Sequence, residues 1–268
     1  RKKGYPQQTK TFNTKAEARA WVRVIESEME RGVFISRTEA ENTTLRQALQ
    51  RYRTEVTPTK KGAAQERSRI GVILRTPIAS LTLAALDGAA VAEYRDQRLR
   101  IVGPKTVRNE MVLLRHALQV ADREWRVHLP QGNPVDMARK PSPPRGRDRR
   151  LLAGEEPRLL AACEAYGGTI PLAAVVTIAL ETAMRRGEIA AMRWGHLDRL
   201  VRVLRVPETK TGEPRRVPLS SRALAVLDAL PRRIDGMIFG VCANSFSRGF
   251  EVVIRRARKD YESECLAA

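Results

Sequence analysis

The chain has 268 residues, of which 49 are Lys or Arg and 30 are Asp or Glu, giving a formal charge of +19 and an isoelectric point near 10.8. A surplus that large repels itself and makes sense where the partner is a polyanion. With 43% hydrophobic residues over this length, the chain has material for two cored domains and a small third, unlike ribosomal or histone-like basic proteins.

Residues 1–33 read as a small α+β module. Gln8 to Phe12 has strand chemistry, and Thr14 with Glu17 forms a capping box that opens a helix. That helix runs to about Arg31 with Ala18, Trp21, Val22 and Ile25 on one face, and Gly32 stops it. One strand and one helix cannot close a core, and the first residue is Arg1 rather than Met, so earlier strands are expected upstream. Residues 34–43 read as a polar linker. Helical periods then fill 44–138: Thr44 to Glu55 ahead of Pro58, Ala63 to Leu74, a helix after the N-cap Asp87 carrying Val91, Tyr94 and Leu99, and Pro104 to Trp125. In the last of these Val107, Met111, Leu114 and Leu118 step by four, three and four. Four helices with short joins make a bundle, and no solenoid repeat is evident.

Residues 139–150 hold six basic residues against one acid, and their prolines keep them extended, as suits a basic join running beside phosphates between two domains that clasp DNA. The stretch 151–268 opens with helices near Glu155–Tyr166 and Thr169–Thr182 and restarts near Arg185. Two β-like segments follow, Val201–Val206 and Arg215–Leu219, around the turn-like Lys210-Thr211-Gly212-Glu213. Helices then cover Ser221–Leu230 and Ser245–Tyr261. The expected fold class is mainly α with a small antiparallel sheet. Cys163, Cys242 and Cys265 stand apart, so neither a disulfide framework nor a zinc site is expected, and a reducing cytoplasm is the natural compartment. The longest largely apolar run, Ile170–Leu180, falls short of the roughly 20 residues that span a bilayer, and no secretory signal is visible. There is no metal cluster, P-loop or dinucleotide fingerprint, so neither a metal nor a cofactor is expected.

Chemistry concentrates at Thr182-Ala183-Met184-Arg185-Arg186-Gly187-Glu188. A buried helix breaks and restarts there, placing an Arg at the new start and an acid on the same face three residues on. The carboxylate can hold the guanidinium still, and a held guanidinium is a planar fork matched to two phosphate oxygens. Alone, Arg-x-x-Glu is an ordinary surface ion pair. In this context it resembles the first-arginine motif of the tyrosine site-specific recombinases, or phage integrase family, Thr-Gly-x-Arg-x-x-Glu followed by Arg-Trp, here Arg193-Trp194. The departure is Ala183 in the place of Gly, which bears on turn geometry. Pro207 to Leu219 is similar to the recombinase β-hairpin whose lysine reaches the cleavage site. Further likeness to the core-binding domain and linker of phage-type integrases lies in Tyr94-Arg95-Asp96-Gln97-Arg98-Leu99, Val107 to Trp125, Asn133-Pro134-Val135 and Arg147 to Leu151. The order and spacing come nearest to mobile-element integrases and shufflon-type DNA invertases.

The resemblance implies a DNA breaking-rejoining fold with an arm-binding-like module (1–33), a linker (34–43), a helical core-binding domain (44–138), a basic connection (139–150) and a catalytic domain (151–268). It implies Arg185 as the first catalytic arginine, Glu188 as its supporting acid and Lys210 as the proton donor to a leaving 5′ oxygen. The basic residues taken as DNA contacts are Lys10, Lys105, Arg108, Arg115, Arg145, Arg147, Arg149, Arg150, Arg215 and Arg248. The family also carries a His-x-x-Arg box and a nucleophilic Tyr after the helix that ends here near Tyr261. Only His116, His128 and His196 occur. His196-Leu197-Asp198-Arg199 fits by letter but precedes the hairpin, and no such box precedes Tyr261, so the nucleophile is expected beyond residue 268. The implied activity is site-specific recombination (integration, excision or inversion) through a 3′-phosphotyrosyl link. Its implied partners are double-stranded DNA with inverted-repeat core sites, a homotetramer in synapsis and accessory DNA-bending proteins, with no membrane. Its implied setting is the cytoplasm, in a bacterial or phage context. The rivals are a non-enzymatic DNA-binding protein on the same scaffold and a type IB topoisomerase.

Overall fold

The computed structural model describes residues 11–31, 38–129, 131–146, 148–208 and 212–267. They fall into two compact units that divide after residue 147. In the first, helix α1 (Lys15–Glu30) starts at Thr14, whose hydroxyl accepts the Glu17 N–H at 3.2 Å. The strand expected at Gln8–Phe12 lies mostly outside the described residues. Thr11 and Phe12 are not in a strand, and the Phe12 ring rests against Trp21 with centroids 5.4 Å apart. The stretch expected to be a polar linker instead holds a short helix, α2 (Thr38–Asn42). Its one apolar residue, Ala40, is fully buried, and its carbonyl accepts the Ala84 N–H at 3.0 Å.

Helix α3 (Leu45–Glu55) opens on a reciprocal capping box: Gln47 N–H donates to the Thr44 hydroxyl, and the Gln47 carboxamide oxygen accepts the Thr44 N–H at 2.8 Å. Helices α4 (Ala63–Ile73), α5 (Gly88–Leu99, capped by Asp87), α6 (Pro104–Glu124) and α7 (Pro134–Met137) complete the bundle. The spacing of Val107, Met111, Leu114 and Leu118 puts all four at 1% exposure or less, in one core with Leu45, Leu49 and Tyr52 of α3, Ile70 and Ile73 of α4, and Val91 of α5.

Among the described residues two charged side chains of this unit are buried, Glu110 and Arg98. Glu110 is 1% exposed and accepts from the Tyr94 hydroxyl at 2.8 Å and from Nε and Nη2 of Arg98 at 3.0 and 2.8 Å. Burial, reinforced by the adjoining carboxylate, raises the Tyr94 hydroxyl pKa, so it stays a donor. Glu110→Ala would strand the Arg98 charge, and we expect it to destabilise this unit by about 3–5 kcal/mol in chemical denaturation; a loss below about 1 kcal/mol would refute the role assigned to the network.

The second unit contains α8 (Glu155–Glu164), α9 (Leu172–Thr182), α10 (Arg186–Ala190), a sheet, α11 (Ser221–Asp228) and α12 (Ala243–Ala267). The sheet is antiparallel in the order β1 (Leu197–Asp198), β2 (Val203–Val206), β3 (Arg215–Pro218). It has one strand more than expected, because β1 is two residues long and too short to show a period. Leu204 faces Val217 and Val206 faces Arg215 on the inner side, while Arg205 and Arg216 pair on the outer. Leu204, Val206, Val217 and Leu219 join Ile178, Ile189, Leu227 and Phe246 in the core. A smaller cluster of Cys163, Leu172, Val176 and Val253 ties α8, α9 and α12 together. Gly249 permits that approach, since a Cβ there would lie 3.0 Å from a Leu172 methyl. Among the described residues no helix is long and apolar enough to cross a membrane.

Candidate active site

Helix α9 ends because Ala183 turns left-handed, at φ 49°, while its N–H still donates to the Ala179 carbonyl at 3.0 Å. The Thr182 hydroxyl accepts the Met184 N–H at 3.3 Å, and Met184 is buried. The backbone is then extended at Arg185, which becomes the N-cap of α10.

Glu188, one turn into α10, reaches back. Its Oε2 accepts the Arg185 N–H at 2.8 Å and its Oε1 accepts Arg185 Nη1 at 3.1 Å. From β3, Arg215 Nη2 donates to the same Oε2 at 2.7 Å. The Glu188 side chain is 6% exposed, against 56% for Arg185 and 39% for Arg215. Burial pushes the Glu188 carboxyl pKa up, but the hydrogen bonds from Arg185 and the charges of Arg215 and Arg185 outweigh it, and the group titrates below its ordinary value. Among the described residues Arg185 makes no other side-chain bond, so most of its fork faces outward. Arg186 is turned away and donates to Ser247 of α12. Arg193 and Trp194 brace the turn after α10: the Trp194 N–H donates to the Gly236 carbonyl at 3.0 Å and Arg193 Nη2 to the Asp235 carbonyl at 2.9 Å. The guanidinium groups of Arg232 and Arg199 stand 5.2 and 5.9 Å from the centroid of the indole.

Of the residues singled out from sequence, the structure brings Arg185, Glu188 and Arg215 together. Lys210, Lys10 and Arg147 lie outside the described residues. Arg108 donates to the Pro141 carbonyl at 3.3 Å, Arg115 pairs with Asp136 at 2.6 Å, and Arg149 pairs with Glu155 at 2.9 Å. Lys105, Arg145, Arg150 and Arg248 are exposed and make no ion pair among the described residues. His196 sits in a short turn ahead of β1, and Tyr261 is exposed on α12 with the Arg158 guanidinium 5.1 Å over its ring. The motif alone does not show that Arg215 points inward to a carboxylate. The signal was its shared parity with Val217 and Leu219, both buried. Among the described residues no three His, Cys, Asp or Glu side chains converge as metal ligands.

Residues 149–237 match the phage integrase family. Over 222 residues the chain is 39% identical to a shufflon-specific DNA recombinase of Escherichia coli, covering 80% of this chain and 57% of that protein. It thus spans little more than half the length of this relative. A lambda integrase dimer bound to a COC′ core site superimposes with a TM-score of 0.67 at 21% identity over 90% of this chain and 73% of that one. A lambda integrase tetramer bound to a Holliday junction does so with a TM-score of 0.67 at 21% identity, over 90% and 76%. The Tn1549 transposon integrase on circular intermediate DNA gives 0.62 at 19% identity over 82% and 80%. The structural matches define the fold as that of the integrases. With the family match and the identity to a curated recombinase, the chain belongs to the tyrosine recombinases of the phage integrase family.

Two outcomes follow for the site. Ala183→Gly should stabilise the second unit by up to about 1 kcal/mol in thermal or denaturant unfolding, because a left-handed conformation costs a side chain more than glycine loses in entropy; destabilisation would show that the turn is unstrained. The stability that Glu188 contributes as a carboxylate is present above its unfolded-state pKa, near 4.5, and is lost as pH falls through its lower folded value. The stability gap between the wild type and Glu188→Gln should therefore be constant near pH 7 and close below about pH 4.5; a gap independent of pH would remove the charge argument.

Proposed function

We propose that the whole protein is a site-specific DNA recombinase that cuts and rejoins strands through a 3′-phosphotyrosyl intermediate. The observation that carries this reading is the outward guanidinium fork of Arg185, held from behind by a buried carboxylate within the segment that matches the integrase family. A scissile phosphate seated in that fork would have its non-bridging oxygens stabilised as charge grows in the pentacoordinate transition state. A tyrosine hydroxyl attacks phosphorus, the 5′ oxygen departs, and Lys210 gives it a proton. The ester keeps the bond energy, so the 5′ hydroxyl of a partner strand can reverse the step with no nucleotide cofactor.

In this reading residues 44–138 and 151–268 are the core-binding and catalytic domains, 139–150 runs along the backbone between them, and 1–33 reads accessory sites. Lys105, Arg108, Arg115, Arg145, Arg147, Arg149, Arg150 and Arg248, with Lys10 at the accessory site, meet phosphates, so affinity falls with salt. The core-site dimer and junction tetramer of lambda integrase support core-site DNA as substrate and a four-protomer synapse. Integration, excision or inversion would take place on the nucleoid in the cytoplasm, with accessory DNA-bending proteins.

The test is incubation of the whole protein with nicked duplexes carrying candidate inverted-repeat core sites. A denaturation-resistant adduct on the 3′ phosphate is expected, with Arg185→Gln lowering its yield on the order of 100-fold. Binding without an adduct would leave a non-enzymatic DNA-binding protein, and relaxation of plasmid lacking any such site would indicate a type IB topoisomerase.

A further inference from the structure

Arg215 is costly where it stands. Its Nε–H is buried with no acceptor among the described residues, and its guanidinium is spent on Glu188. A buried donor left unmatched is a penalty, so simple stabilisation is a poor reason for an arginine at an inward position flanked by Val206 and Val217. Charge counting supplies a better one. One carboxylate against one guanidinium sums to zero, and an Arg185–Glu188 pair alone would offer a phosphate little attraction. A second guanidinium on the same Oε2 leaves the cluster with a net positive charge and holds the carboxylate still while Arg185 stays outward. Arg215 also begins β3, five residues after Lys210 in the chain.

We propose that Arg215 is a positioning residue for strand cleavage, acting through Glu188 to keep Arg185 fixed and electropositive toward the scissile phosphate. This rests on the recombinase reading given above and reassigns Arg215 from a DNA contact to a support. The charged groups against Glu188 are Arg185 from its own turn and Arg215 from β3. From α12, Ser247 goes to Arg186, and from α9, Glu181 goes to Arg222 and Ser220.

The experiment compares the whole protein with Arg215→Met and Arg215→Lys in single-turnover cleavage of nicked core-site DNA across pH, alongside a carboxyl-carbon NMR titration of Glu188. For Arg215→Met we expect cleavage slowed on the order of 10-fold, less than for loss of a group that touches the transition state. DNA affinity should stay nearly unchanged, and the acid limb of the rate profile and the Glu188 titration should both move to higher pH. Arg215→Lys should restore part of the rate and of both shifts. A rate loss that tracks thermal unfolding, with the acid limb and the Glu188 titration unmoved, would overturn the proposal. So would a fall in DNA affinity with normal cleavage at saturation, which would make Arg215 a DNA contact after all. Absence of any adduct from the wild type would sink the recombinase reading instead, while the titration would still decide whether Arg215 governs Glu188.

Discussion

A carboxylate that is nearly out of water must be neutralised, and at Glu188 this is done by two guanidinium groups from separate elements. The geometry of the second unit follows from that requirement. Helix α9 must stop so that Arg185 can leave the helical path, and Ala183 adopts a left-handed conformation to stop it. Helix α10 must restart at once, because its first turn carries Glu188 back to the Arg185 N–H. The sheet must hold a register in which Arg215 falls on the inner side. A slip of one residue would present Arg216 to the core and leave Glu188 with a single partner.

The two units manage charge differently. In the helical bundle Arg98 and Glu110 form a closed pair with Tyr94, turned inward. Such a network has little left to offer a ligand, and it specifies how α5 meets α6. In the second unit the corresponding carboxylate leaves one arginine largely exposed, so the pair looks outward. The same two residue types close on themselves in one place and leave an open guanidinium in the other, and exposure decides which.

Several arginines expected to meet DNA, notably Arg115 and Arg149, are paired within the protein. Exposed pairs of this kind contribute little to stability, and salt screens them. A phosphate competing for the same guanidinium would therefore meet little resistance. With a surplus of +19, the chain has far more cations than its own acids can occupy.

Features that depend on local spacing are legible in the residues alone. The α6 core stripe follows from the four-three-four steps of Val107, Met111, Leu114 and Leu118, since helical periodicity needs no distant partner. The Arg185–Glu188 contact was legible for the same reason: both residues lie within one turn. Other features were hidden in the chain. Helix α2 looked like a polar linker because a single alanine is its anchor, and the docking of Ala40 on Ala84 depends on residues far apart in sequence. Strand β1 is only two residues, and its pairing partner rather than its composition makes it a strand. The alternation of Arg215, Val217 and Leu219 was visible, but the carboxylate that Arg215 meets lies 27 residues away. Tertiary structure decided that pairing, because a buried charge is settled by whatever countercharge the fold brings within reach, and sequence distance carries no record of it.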